Sequence, residues 1–99
     1  MTRSEFLLST QRALLGFITA NVRSVSGNIE GQTISIRYII DGEIDEATRE
    51  ELSCASTEVI AVMDADWSFD EQFIRLDAPV SLRGQTLPLL AYERFEPGQ

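Results

Sequence analysis

The sequence predicts an α+β domain: a four-stranded, mainly antiparallel sheet with two helices packed on one face, in the order α-β-β-α-β-β. Three observations lead there. Two segments, one near the start and one from about residue 45 to 63, repeat apolar residues at helical spacing. Between them, Ile34, Ile36, Tyr38 and Ile40 alternate with Thr33, Ser35, Arg37 and Ile39, which is strand periodicity. The links are of hairpin length, and 99 residues make one domain, 1–99, with a single modest core.

The elements follow in order. Thr2 and Glu5 stand three apart, as in a capping box, ahead of Phe6, Leu7, Leu8, Ala13, Leu14, Leu15, Phe17 and Ile18. Gly16, free to take a positive φ, ends that helix. Residues 21–30 hold Val22, Val25 and Ile29 among small polar residues and read as a strand nearer an edge. Gly31 makes a tight hairpin into the central strand, Thr33 to Ile40. Asp45 caps a second helix running to Met63, with Glu46 in the first turn where the helix dipole favours an acid. Leu52, Ala55, Val59 and Val62 form its apolar stripe, widened by Cys54, Ile60 and Met63. A third strand, Phe69 to Leu76, stops at Asp77-Ala78-Pro79. A connector containing Gly84 and Pro88 leads to a fourth, Leu89 to Phe95, and residues 96–99 are a frayed end. The expected core is Leu7, Leu8, Leu14, Leu15, Ile34, Ile36, Leu52, Ala55, Val59, Phe73 and Leu90.

Charge is the first functional signal. The net charge is −8, every base is arginine, and there is neither lysine nor histidine. Residues 41–71 hold eleven acids against Arg49 alone, so the whole excess lies in one third of the chain. Such a surface is repelled by phosphate and by anionic lipid, which argues against direct contact with nucleic acid or membrane and favours a basic protein partner. The lone Cys54 excludes an internal disulfide, and the opening residues do not read as a signal peptide, so the expected location is cytoplasmic.

Catalytic and cofactor readings fare poorly. Without histidine the usual neutral-pH acid–base group is missing, and without lysine so is Schiff-base chemistry. Cys54 falls on the apolar side of a helix amid acids, and reads as a small core residue. Asp64, Asp66, Ser68 and Asp70 match the first, third, fifth and seventh places of a calcium loop. Phe69 stands where that loop needs glycine, and Arg75 where it needs glutamate. No catalytic residue, metal ligand or cofactor is therefore assigned.

Two constellations suit binding. Residues 64–71 place Asp64, Asp66, Asp70 and Glu71 around the only tryptophan, Trp67. A tryptophan inside a charged rim is a typical interface anchor, although Trp67 and Phe69 equally suit the end of a core. The second run, Asp41, Glu43, Asp45 and Glu46 with Glu50 and Glu51, covers the entry to the second helix. The candidate partner-binding residues are Asp41, Glu43, Glu46, Asp64, Asp66, Trp67, Asp70 and Glu71. The two runs either form one face or lie apart.

Three segments resemble the immunity proteins of contact-dependent growth inhibition (CdiI type). They are residues 6–16, FLLSTQRALLG, residues 57–61, TEVIA, and residues 71–77, EQFIRLD. The resemblance implies a cytoplasmic, non-enzymatic inhibitor that binds the C-terminal toxin domain of a cognate CdiA-type effector, a toxin that in such systems is often a nuclease with a basic surface. No binding residue is implied by these segments. The competing reading is an acidic adaptor or subunit of a larger complex with no toxin partner.

Overall fold

A computed structural model describes residues 1–96. Its elements are α1 (Arg3–Leu14), β1 (Val22–Glu30), β2 (Thr33–Ile40), α2 (Glu46–Ala61), β3 (Ser68–Arg75) and β4 (Leu89–Glu93). The sheet order is β3-β2-β1-β4. β1 pairs antiparallel with both β2 and β4, while β2 and β3 run parallel. The sheet is thus mixed but mainly antiparallel.

Local chemistry accounts for the element ends. Thr2 Oγ1 accepts the Glu5 N–H at 3.1 Å and caps α1, and Arg12 lies in the last turn, where the helix dipole favours a cation. Asp45 Oδ1 accepts the Thr48 N–H at 2.8 Å and caps α2. That hydrogen bond holds the Asp45 carboxyl below its usual range. Glu30 pairs with Thr33, so Gly31 and Gln32 alone make the first hairpin, with Gly31 at φ 60° in the first loop position. Parallel pairing of β2 and β3 forbids a hairpin, so α2 serves as the crossover.

Alternation divides the sheet into two faces. Val25, Gly27, Ile34, Ile36, Tyr38, Ile40 and Leu89 share the face that meets both helices. The Phe6 ring of α1 lies over Gly27, and the Tyr38 hydroxyl reaches Leu52 and Ser56 of α2, so the helices share that face. A Cβ at Gly27 would stand 2.1 Å from Phe6 Cζ, so glycine is what allows the ring to sit against the strand. The opposite face carries Ser24, Ser26, Arg37 and Ile39. It is covered by residues 76–88, because β3 and β4 lie at opposite edges and their link must cross the sheet. Leu82 of that link is buried, Leu87 N–H donates to Ser26 Oγ at 2.9 Å, and Arg37 Nη1 donates to the Gln85 carbonyl at 2.7 Å.

Several sequence expectations need correction. β1 is an interior strand and not an edge, because β4 pairs along its far side. Its serines are buried under the connector, which local hydropathy does not reveal. Leu8 is 51% exposed, Leu15 76% and Leu90 43%. In α1 the inward stripe is Phe6, Thr10, Ala13 and Leu14, which leaves Leu8 on the wet side. Leu15 already lies beyond the helix end, and Leu90 pairs with Ser26 on the back face. Cys54, Ile60 and Val62 are exposed as well, because α2 turns Leu52, Ala55, Ser56 and Val59 inward. Glu96 is fastened to the body of the protein, while residues 97–99 of the expected frayed end lie outside the described residues.

Candidate protein-binding surface

The fold separates the two acidic runs. Asp41 and Glu43 follow the end of β2, whereas Asp64 and Asp66 precede β3, whose first residue pairs with the start of β2. The length of β2, about 23 Å, lies between them. α2 bridges the gap, and its exposed side carries Glu46, Glu50, Glu51 and Glu58. The result is an acidic ridge with a cluster at each end.

The eight candidate residues differ in their availability. Glu43, Glu46, Asp64, Asp66 and Asp70 are exposed. Asp66 accepts from Gln32 Nε2 at 3.3 Å, and Asp70 from Gln72 Nε2 at 2.8 Å. Glu71 is half-buried and accepts from Ser53 of α2 at 3.1 Å. Asp70 and Glu71, adjacent in sequence, project from opposite faces of β3. Trp67 is half-buried against the helix-side core, so it serves as a core flank with part of its surface open. Asp41 is engaged internally, since Arg94 Nη2 donates to its Oδ2 at 3.0 Å and the Ala78 N–H to its Oδ1 at 3.2 Å.

Asp41 belongs to an ion network that sequence reading missed. Arg23 is fully buried at an irregularity in the β1–β2 register between Val22 and Ser24. It donates from Nε and Nη2 to the two carboxylate oxygens of Glu96, both at 2.8 Å, and from Nη1 to the Leu76 carbonyl at 2.9 Å. Arg94 adds two more donations to Glu96 Oε2, at 3.1 and 2.8 Å. The Arg23 hydrogen bonds, set against desolvation, hold the Glu96 carboxyl down at about 2. A bidentate pair with a further carbonyl acceptor is how a guanidinium is accommodated without water. The only sequence signal was an arginine inside a strand otherwise made mostly of apolar and small polar residues.

A second missed feature is a stack beneath the acidic ridge. The rings of Tyr38 and Phe73 lie 5.3 Å apart and nearly parallel, and the Arg49 guanidinium carbon sits 5.0 Å from the Phe73 centroid. Tyr38 donates its hydroxyl proton to the Leu52 carbonyl at 3.1 Å, which leaves Ser56 Oγ, at 2.7 Å, as donor to the phenol oxygen. Burial pushes the Tyr38 phenol up to about 12. The one base among the eleven acids therefore sits over the Phe73 ring at the β3–α2 junction.

Among the described residues, no group of three or more His, Cys, Asp or Glu is placed to hold a metal ion, and no helix is long and apolar enough to cross a membrane. An open concavity of about 540 Å³ on the back face has Arg83 and Glu93 as its charged lining groups, with Ser81, Leu82, Thr86 and Leu90 around them. The MafI2 immunity protein family model matches residues 3–96, every element of the fold. The chain belongs to the MafI2 immunity protein family. No curated protein matches it.

Family membership meets the expectation of an immunity protein from a toxin system. A MafI2-family immunity protein neutralises a toxin, and its partner is accordingly the cognate toxin protein. Family membership thus supplies a class of partner that charge alone left open.

Proposed function

We propose that this MafI2-family protein is a stoichiometric, non-enzymatic inhibitor that acts in the cytoplasm by covering a basic surface of its cognate toxin. In this reading the toxin is a nuclease domain at the C-terminus of a contact-dependent growth inhibition effector of the CdiA type. The observation that carries the reading is the confinement of the negative charge to residues 41–71, which line α2 and lead into β3. A nuclease attracts phosphate with arginine and lysine, and a protein with this charge density competes for the same field. Glu43, Glu46, Asp64, Asp66 and Asp70 are the exposed contacts, Glu71 and Trp67 flank them, and Asp41 shapes the loop beside them.

Co-expression with the toxin domain encoded beside its gene tests this. The expected result is survival of cells that die when the toxin is expressed alone, and a 1:1 complex on purification. Cell death despite soluble, folded inhibitor would refute the pairing. Intact nucleic acid in toxin-only cells would refute the nuclease assignment.

A further inference from the structure

The sheet has two edges, and they are finished differently. β4 is five residues long, its register with β1 shifts between Val25 and Ser26, and the Ala91 carbonyl accepts from Gln11 Nε2 at 3.4 Å. Short length and a bulge are usual ways to blunt an edge. β3 is eight residues long and pairs with β2 without any register shift.

The direction of its backbone groups follows from two hydrogen bonds. Ser68 N–H donates to the Gln32 carbonyl at 2.8 Å and Leu76 N–H to the Ile40 carbonyl at 3.0 Å. The offset is the same at both ends, so the even-numbered residues between them face β2. The N–H and C=O groups of Phe69, Glu71, Phe73 and Arg75 point outward along about 20 Å of strand. Among the described residues β3 pairs on one side only.

Such an edge ordinarily carries lysine, proline or a bulge. β3 has none of these, and its flanking charges are mostly of one sign. Asp66 precedes it, Asp70 and Glu71 project from its two faces, and Glu46 and Glu50 are exposed on the neighbouring helix, against Arg49 over Phe73 and Arg75 at the strand's end. Two copies of this edge would repel one another, whereas a basic strand would be attracted along it. Phe69 and Phe73 offer partly exposed ring surface on the helix side for the apolar residues of an incoming strand.

We infer that the outer edge of β3 receives an extended, arginine- or lysine-bearing strand of the toxin and adds it to the sheet as a fifth strand. This rests on the reading of the partner as a basic toxin domain. Main-chain hydrogen bonds hold the strand, and Asp70 and Glu71 select basic side chains on its two faces.

The test uses residue-resolved amide hydrogen exchange of the full chain, free and bound to the catalytically inactivated toxin domain encoded beside its gene. In the free protein the N–H groups of Phe69, Glu71 and Phe73 exchange readily while those of Asp70 and Gln72 are protected. In the complex the first three gain 100-fold or greater protection. Glu71→Pro deletes an outward N–H without touching the β2 ladder, which strands tolerate at an edge. It is expected to weaken binding at least 100-fold, against less than tenfold for Glu71→Gln. If the complex forms with the Phe69, Glu71 and Phe73 amides still exchanging freely, the strand-addition inference is wrong and the inhibitor reading stands. Equal binding by folded Glu71→Pro and Glu71→Gln has the same meaning. If the unmodified chain forms no complex, the inhibitor reading itself fails and takes this inference with it. Should Glu71→Pro not fold, the exchange pattern of the unmodified chain decides.

Discussion

Asp41 and Asp77 form a reciprocal clasp: Asp77 Oδ1 accepts the Gly42 N–H at 2.7 Å, and Asp41 Oδ1 accepts the Ala78 N–H at 3.2 Å. Each carboxylate holds the chain just past the other. The two loops leave parallel strands that end side by side, at Ile40 and Arg75. Arg94 balances Asp41, and Arg75 balances Asp77, whose carboxyl is held below its usual range by that arginine and by the Gly42 N–H. The clasp fixes where α2 and the back-face connector start, so Asp41 acts within the fold before it acts on any partner.

Asp41→Ala is therefore expected to lower stability by about 1 kcal/mol through the lost carboxylate hydrogen bonds. Toxin affinity, measured well below the melting temperature, should change less than threefold. Denaturant unfolding and a binding titration on the same preparation check this. A tenfold loss of affinity without a loss of stability would make Asp41 a direct contact.

The Arg23–Glu96 pair gives the fold an acid limit. Glu96→Ala leaves the buried guanidinium without its bidentate partner, at a cost of roughly 3 kcal/mol. The Glu96 carboxyl is lowered from 4.5 to about 2, so the unfolded chain binds the proton more readily between those values. The contribution is complete above about pH 4.5 and disappears as pH falls toward 2. Urea titrations from pH 6 to pH 2 should show this slope in the native protein and a flatter one in Glu96→Gln.

Gly27→Ala is expected to be severely destabilising, by about 3 kcal/mol or more, because the new methyl meets the Phe6 ring and also comes 2.8 Å from the Ser35 carbonyl oxygen. Adding Phe6→Leu should recover part of the loss, since a shorter side chain frees the space above the strand. Thermal melts of the two single variants and the double variant measure the coupling.

Cys54→Ala should change stability by less than about 0.5 kcal/mol, as is usual for an exposed position with no buried partner. A disulfide reagent should titrate one thiol in the native protein without denaturant. A thiol that reacts only after unfolding would contradict the exposed placement.

Asp66→Arg reverses an exposed charge at the β3 end of the ridge, and Asp70→Arg one on the opposite face of β3. Each should weaken toxin binding tenfold or more, with slower association and a shallower dependence on salt. Trp67→Ala gives a different signature, faster dissociation together with lower stability, because its ring is packed partly against the core. Stopped-flow association between 50 and 500 mM salt separates the two behaviours.

Much of this architecture was legible in the chain itself. The Thr2 and Asp45 caps, the Gly31 hairpin and the alternation of β2 depend on neighbours within a few residues, and short-range chemistry decides them. So does the gathering of negative charge in residues 41–71, which is a property of composition. Tertiary structure decided what depends on residues far apart. The serines of β1 became interior because β4 and the connector close over them, and Arg23 became a buried ion because Glu96, 73 positions away, returns to meet it. Cys54, Leu8 and Leu15 went to solvent because helical periodicity names a stripe but not the few tens of degrees that choose which flanking residue turns inward. The sheet order set the two acidic runs at opposite ends of β2 and left β3 with a free edge, since strand pairing is long-range and no local pattern encodes which strand ends up outermost.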